Sequence, residues 1–161
     1  RTSRICVIYM PPESLMRREA QNLMATGTHF VTPNGLHDED HYTTAYDMYL
    51  IFNEAVKYDE FVDIISADSY TAQITGADGA VRSVTWKPTS FYARGEAALP
   101  TGATVIGGKT GYTGEAGNCL VLLDQAADGD YYISIVMGAA DKPLLYQDMT
   151  ALIDQIPSLE G

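Results

Sequence analysis

The sequence predicts an α+β fold in which an antiparallel sheet is flanked by helices, within one domain over residues 1–161. Five short stretches from residue 70 onward are rich in apolar, β-branched or aromatic residues, and most are separated by turns of glycine and aspartate. Short connections of this kind are typical of antiparallel neighbours. Apolar residues recur at helical spacing before these strands and again after them, so helices are expected on both sides in chain order.

Composition and charge exclude several classes of protein. The chain is 46% hydrophobic and 19% charged, as in a soluble globular domain, and no apolar run reaches the length of a membrane span. Its 21 acidic and 10 basic residues give a net charge of −11, which opposes binding to nucleic acid or to an anionic membrane. Any export signal or anchor is expected outside this sequence. Cys6 and Cys119 are expected to be buried thiols, although the sequence leaves their pairing open.

The N-terminal quarter predicts a strand and then a helix. Residues 5–10 are apolar and stop at Pro11-Pro12, which cannot continue a strand. From Glu13 the spacing becomes helical, and Gly27 is placed as the C-terminal stop. The inward side of this helix is expected to consist of Leu15, Met16, Ala20, Leu23 and Met24.

Residues 28–42 predict a polar loop with tight turns. Its segment 37–41 combines two histidines with three carboxylates, which are side chains able to hold a divalent cation. Loops rich in aspartate are usually just solvated, so we expect no metal and no cofactor. A metal-dependent hydrolase that uses His37 and His41 stays open as an alternative.

Two helices are predicted after this loop. Thr43-Thr44 offers an N-cap for a helix over 45–58, and Asp59 offers one for a helix over 60–67. The residues expected to face inward are Tyr46, Leu50, Ile51, Ala55 and Val56 in the first helix, and Phe61, Ile64 and Ile65 in the second.

The rest of the chain predicts strands and a last helix. Residues 70–75 and 81–86 alternate in polarity around a turn at 76–79, which indicates a β-hairpin. After a loop over 88–102, antiparallel strands are expected at 104–113, 118–125 and 131–138. Helical spacing returns from Lys142 until Pro157, and the side chains expected to cover a sheet face are Leu145, Met149, Leu152 and Ile153.

Lys109-Thr110-Gly111 is the stretch with the clearest chemical content. The preceding Gly107-Gly108 is interpreted as strand backbone stripped of side chains so that a ligand can approach it. Lys109 supplies a cation, Thr110 a hydroxyl, and Gly111 leaves room for a substrate strand alongside. The bare tripeptide is also typical of an edge strand with a protective lysine.

Two longer blocks carry a resemblance to a known family. GGKTGYTGEAGNCLV at 107–121 and THFVTPNGLHDEDHYTTAYDMYLI at 28–51 resemble the serine-type D-alanyl-D-alanine carboxypeptidases, which are low-molecular-mass penicillin-binding proteins. K-T-G is the third motif of penicillin-binding proteins. The resemblance implies a β-lactamase/transpeptidase-like fold. It also implies that the whole enzyme removes the terminal D-alanine of peptidoglycan stem peptides through a serine acyl-enzyme, and that it binds β-lactams.

The resemblance also implies roles for residues of the strand. Lys109 and Thr110 would hold the terminal carboxylate of the substrate, and the main-chain N–H of Tyr112, just after Gly111, would line the oxyanion hole. These four are the expected catalytic residues, and Thr113 joins Lys109, Thr110 and Tyr112 as an expected substrate contact. His29, in a loop that borders the cleft in this family, is expected to be structural.

The nucleophile of this family is missing from the sequence. Its serine lies in S-x-x-K, where the lysine acts as base, and no serine here has a lysine three residues later. Ser14 is followed by Arg17, which stays protonated. The S-x-N motif is absent too, and Pro143 stands where relatives often carry a basic residue. We therefore expect the C-terminal part of the catalytic domain, as a fragment or a natural deletion, which is inactive alone.

A non-catalytic module remains the alternative function. Such a module would bind peptidoglycan or a protein through the Lys109 strand edge and needs no serine. In either case the resemblance implies an extracytoplasmic location in the cell envelope, with no nucleic-acid partner. A sheet that lacks its covering helices would expose an apolar face, which predicts self-association.

Overall fold

A computed structural model describes residues 11–158 and divides the chain into two compact units, the first ending at Ile51 and the second beginning at Phe52. The strand expected at 5–10 and Cys6 lie outside the described residues, and a single domain over 1–161 stays a prediction. In the described part, no helix has the length and apolarity needed to cross a membrane. In chain order the elements are α1 (Pro12–Asn22), α2 (Ala45–Ala55), α3 (Asp59–Ser66), β1 (Tyr70–Thr75), β2 (Val81–Trp86), α4 (Phe91–Arg94), β3 (Thr104–Thr113), β4 (Gly117–Gln125), β5 (Tyr131–Ala139), α5 (Lys142–Ile153) and a 3-10 turn (Ile156–Ser158).

Helix α1 forms as expected but ends before Gly27. Met24 adopts a left-handed conformation with φ of 61°, and its N–H donates to the carbonyl of Gln21 at 3.0 Å. The N–H of Ala25 donates to the carbonyl of Ala20 at 2.8 Å, which completes the hydrogen-bond pattern of a Schellman stop. The predicted stop at Gly27 was wrong because a non-glycine residue adopts the left-handed conformation. The Met24 side chain, expected to face inward, is 71% exposed.

The loop between α1 and α2 is held together by its own hydrogen bonds. His29 and Tyr42 form an antiparallel bridge, and His29 Nδ1 donates to the carbonyl of Asp40 at 2.6 Å. The hydroxyl of Thr28 donates to the buried carboxylate of Asp47 at 2.7 Å. These contacts fit the structural role expected of His29.

Helices α2 and α3 confirm two predicted helices, but their inward faces differ in part. The N-cap predicted at Asp59 was wrong, because α3 already begins at Asp59 and its N-cap position is Tyr58, without a side-chain cap. The Thr44 hydroxyl accepts from the N–H of Asp47 at 3.1 Å, which confirms an N-cap within Thr43-Thr44. Tyr46 is 67% exposed and Ile64 is 74% exposed, so both were wrongly placed inward. The error in α2 arises because Asp47 is buried by a partner distant in sequence, which no local pattern shows. Phe52, absent from the predicted face, is 4% exposed.

Strands β1 and β2 confirm the predicted hairpin residue for residue. They pair antiparallel from Tyr70 opposite Trp86 to Thr75 opposite Val81. Gly79 in the turn has a φ of 76°, a conformation that glycine adopts without steric cost. The loop predicted at 88–102 contains one helical turn, α4, which local spacing did not indicate.

The second sheet has the order β3-β4-β5, with antiparallel pairing, as predicted. Its central strand β4 is buried on both faces. Leu120 and Leu122 belong to the core cluster that includes α5, while Val121 and Leu123 pack with Phe52. In α5 the buried residues are Leu145, Tyr146, Met149 and Ile153; Leu152 is 39% exposed, so its predicted inward position was wrong.

Candidate functional site

Strand β3 presents an open edge. Among the described residues it pairs with β4 on one side and with no strand on the other. Lys109 lies opposite Val121, and Thr110 lies opposite Leu120. Because consecutive strand residues point to opposite faces, the Lys109 and Thr110 side chains flank this edge from its two sides. A carboxylate placed at the edge can therefore meet an ammonium group and a hydroxyl together.

The Lys109 ammonium group is exposed and lacks a carboxylate partner within residues 11–158. Its one hydrogen bond is donated to the backbone carbonyl oxygen of Thr110. An ammonium has three donors, so two remain for a ligand. This cation suits an anionic group arriving at the edge.

The Thr110 hydroxyl has a partner that sequence reasoning missed. Its Oγ1 lies 2.6 Å from Oγ1 of Thr89, which follows β2 in the loop that leads to α4. The two threonines are 21 positions apart. No periodicity or motif in the sequence links them, so only the tertiary fold reveals this contact.

The glycines of β3 serve two different purposes. A β-carbon at Gly107 would overlap the backbone carbonyl of Ile65 in α3, and one at Gly108 would overlap the backbone of Val121 in β4. Gly107-Gly108 therefore admits neighbouring elements of the chain. Both glycines also line the cavity beside this edge, so the interpretation of the pair as a ligand approach stays a prediction. At Gly111 a β-carbon would meet only Cβ of Cys119 at 3.9 Å, an ordinary contact. Packing within the described chain does not require glycine there.

Tyr112 and Thr113 complete the strand. The Tyr112 side chain is 69% exposed, so it leaves the edge accessible. The hydroxyl of Thr113 accepts the N–H of Ala116 at 3.0 Å, which closes the turn into β4. That hydroxyl keeps its own proton available for donation. The structure thus places all five predicted residues, Lys109 to Thr113, along one accessible strand.

A cavity of about 410 Å³ adjoins the amino-terminal half of this edge. It lies among the end of α3, the base of the β1–β2 hairpin and the loop around Thr89, and Lys109 is part of its lining. Ser90 also lines it, and the Ser90 hydroxyl is buried without a hydrogen-bond partner among residues 11–158. The apolar lining includes Ile64, Tyr70, Trp86, Leu99 and Val105.

The histidine segment of the first unit does not assemble a metal site. Nδ1 of His41 accepts the N–H groups of Val31 and Thr32, at 3.1 and 3.2 Å, so that nitrogen is engaged by backbone. Within residues 11–158, no group of three or more His, Cys, Asp or Glu side chains is arranged to hold a metal ion. The hydrolase built on His37 and His41 therefore gains no support from the geometry.

A buried carboxyl group with a raised pKa lies in the sheet behind this edge. Asp124 on β4 is fully buried, and among residues 11–158 neither of its carboxyl oxygens accepts a hydrogen bond of good geometry. Burial raises the pKa of Asp124 to about 6, and the nearby Ser134 hydroxyl opposes this effect only partly.

Cys119 is a free, half-buried thiol on the same strand.

Most of the chain is similar to proteins of one known family. Residues 14–141 match the D-alanyl-D-alanine carboxypeptidase family of peptidases. D-alanyl-D-alanine carboxypeptidase DacF of Bacillus subtilis is 30% identical over 141 residues, which cover 86% of this chain and 33% of DacF. The curated relatives are thus much longer than this chain.

Solved structures share the fold. A serine-to-alanine mutant of the Streptomyces K15 DD-transpeptidase has a TM-score of 0.79 at 28% identity, covering 91% of this chain and 54% of the other. The D-alanyl-D-alanine carboxypeptidase of Mycobacterium tuberculosis has a TM-score of 0.67 at 26% identity, covering 87% of this chain and 51% of the other. The expected transpeptidase-like α+β fold is confirmed, and the chain belongs to the D-alanyl-D-alanine carboxypeptidase family.

Proposed function

We propose that this chain is the carboxylate-binding part of a serine-type D-Ala-D-Ala carboxypeptidase that acts on peptidoglycan stem peptides. The observation that carries the proposal is the open edge of β3, flanked by the Lys109 ammonium and the Thr110 hydroxyl. A peptide lying along this edge would place its terminal carboxylate between the two groups. The ion pair and hydrogen bond would fix the end of the substrate.

The proposed reaction of the whole enzyme needs groups that this sequence lacks. A serine would attack the penultimate D-Ala carbonyl, D-alanine would leave, and water would hydrolyse the acyl-enzyme. The backbone N–H of Tyr112 is the proposed donor to the oxyanion. Because the 161 residues contain no S-x-x-K, we propose that this chain alone neither acylates nor turns over.

Carboxylate binding can be tested on the chain itself. An isotopically labelled sample would be titrated with N-acetyl-L-Lys-D-Ala-D-Ala and followed by NMR, with the C-terminal amide of the same peptide as a ligand control. We expect shift changes centred on residues 109–113 with the acid and weak or no changes with the amide. Lys109→Gln should weaken binding, whereas Lys57→Gln, at a lysine paired with Glu54, should not. Equal binding of acid and amide would contradict the proposal.

Acylation is tested by the intact mass of the chain after incubation with excess benzylpenicillin. No adduct is expected, because a penicillin adduct requires an activated nucleophile. A stoichiometric adduct would overturn the proposed inactivity, and peptide mapping would then locate the serine responsible.

The missing S-x-x-K also favours a second function, a non-catalytic module that binds peptidoglycan or a protein through the Lys109 edge. Fluorescent penicillin applied to cells that produce the protein separates the two functions. Labelling of a longer enzyme that contains this chain would support the carboxypeptidase, since the chain alone is expected to stay unlabelled. Tripeptide binding by a protein that stays unlabelled would support the module.

We also propose an extracytoplasmic location, with stem peptides and β-lactams as partners of the whole enzyme. Self-association through an exposed sheet face stays a prediction. Its support is weaker than expected, because β4 is buried on both faces by residues of the chain itself. Sedimentation of the purified chain at several concentrations would measure it.

A further inference from the structure

Thr89 occupies a fixed position beside the proposed carboxylate site. Its neighbour Ser90 is buried, and the next residue, Phe91, donates its N–H to the Tyr146 hydroxyl at 2.7 Å. The rings of Phe91 and Tyr146 stack with centroids 4.9 Å apart. Because Tyr146 is buried in α5, this loop is attached to the core one residue beyond the Thr89–Ser90 pair.

The hydrogen bond between Thr89 and Thr110 has two possible directions in the free chain, since either oxygen can donate. A carboxylate removes this freedom. An ionised carboxylate only accepts hydrogen bonds, and a hydroxyl has a single proton. When Thr110 donates its proton to the ligand, it must accept from Thr89. The result is a chain of donors from Thr89 through Thr110 to the carboxylate.

We propose that Thr89 is a positioning residue that orients the Thr110 hydroxyl toward the bound carboxylate. The inference rests on the proposed function, because it concerns the same ligand at the same strand edge. Thr89 stabilises one rotamer of Thr110 in which the proton points away from the loop. Donation by Thr89 also polarises the Thr110 hydroxyl, which makes it a stronger donor to the ligand.

The test is a double-mutant cycle on the affinity for N-acetyl-L-Lys-D-Ala-D-Ala, measured by the NMR titration described above. Thr89→Val keeps the shape of the side chain and removes its hydroxyl, so we expect about fivefold weaker binding, as for the loss of one neutral hydrogen bond. Thr89→Ser restores the hydroxyl and should bind within about twofold of the parent. In a Thr110→Val background, Thr89→Val should cause no further loss.

Each outcome bears on the inference. Unchanged binding by Thr89→Val overturns it, as does a Thr89→Ser variant that is as weak as Thr89→Val. A loss that persists in the Thr110→Val background means that Thr89 acts on the structure of the loop, which also overturns it. Parent protein that does not bind the tripeptide at all refutes the proposed function and this inference together, a result distinct from the others. Thr89 is exposed, and Thr89→Ala serves as a second hydroxyl-free variant if valine disturbs the spectrum.

Discussion

Replacing Asp124 by asparagine is expected to change how the stability of the second unit depends on pH. Asp124 lies on the central strand β4, opposite Tyr132 of β5, and is completely buried. Among residues 11–158 its nearest donor is the Ser134 hydroxyl, and neither carboxyl oxygen accepts a hydrogen bond of good geometry. A buried carboxyl with few hydrogen-bond donors nearby prefers its neutral form, since the charged form loses its hydration. Its pKa is accordingly raised from 3.8 to about 6.

The sign and size of the effect follow from proton linkage. A raised pKa means that the folded state binds the proton more tightly than the unfolded state, so the folded state is favoured at low pH. Stability then falls as the pH rises from below 3.8 to above about 6, and stays level beyond that. The difference between the two pKa values corresponds to about 3 kcal/mol of unfolding free energy. That is a large share of the ~5–15 kcal/mol typical of a domain.

The assay is urea unfolding followed by circular dichroism between about pH 3 and pH 8, on the parent and on Asp124→Asn. Asparagine resembles the neutral carboxyl and does not titrate. As the pH rises across this range, we expect the unfolding free energy of the variant to increase by about 3 kcal/mol relative to that of the parent. Most of this change should occur below about pH 6. Asp63→Asn, at an exposed carboxylate of α3, controls for the change in net charge. A difference between parent and Asp124→Asn that is independent of pH would refute the reasoning.

Three further predictions concern stability and can be measured by the same unfolding experiment. The backbone N–H groups of Thr101 and Gly102 lower the pKa of Asp154, so its carboxylate should stabilise the fold at neutral pH and lose this effect as the pH falls. Asp154→Asn should therefore destabilise the fold at neutral pH and have little effect in acid. Stability thus depends on pH in the opposite direction to that expected for Asp124. Gly107→Ala should lower the unfolding free energy by ~1–3 kcal/mol, because the new β-carbon would overlap backbone of α3. Gly111→Ala should change it by less than ~0.5 kcal/mol. Equal losses of stability would contradict the packing assigned to the two glycines. Asp141→Ala should cost ~1 kcal/mol, because its side chain caps α5 by accepting a backbone N–H at 2.8 Å, and an unchanged midpoint would show that the cap contributes nothing.

Local patterns predicted most of the elements of the second unit. The β1–β2 hairpin and strand β3 were placed residue for residue, because alternation and turn glycines are properties of adjacent residues. The buried faces of helices were less predictable. Asp47 is buried because the distant Thr28 donates to it, and Met24 adopts a left-handed conformation that sequence reasoning reserved for glycine.

In the candidate site, too, residues within one short segment could be predicted, whereas contacts between residues far apart in the sequence could not. The K-T-G motif identified the strand and its accessible side chains, since all of them lie in one short segment. Thr89 could not be found this way, because its contact with Thr110 joins a loop to a strand through the tertiary fold. The packing at Gly107 was also hidden, because the backbone that approaches Gly107 belongs to α3.

The packing of β3 shows that the proposed recognition edge needs no S-x-x-K nucleophile for its structure. The strand is held on one side by β4, and α3 packs closely against the backbone at Gly107. These contacts order the backbone of β3 without any help from a ligand, so little backbone entropy would be lost on binding of the proposed carboxylate. The open edge is thus preorganised for the proposed ligand, and its affinity for a terminal carboxylate is expected to depend on Lys109, Thr110 and Thr89 rather than on a serine. This separation of binding from acylation is why the tripeptide titration and the penicillin mass measurement give independent answers.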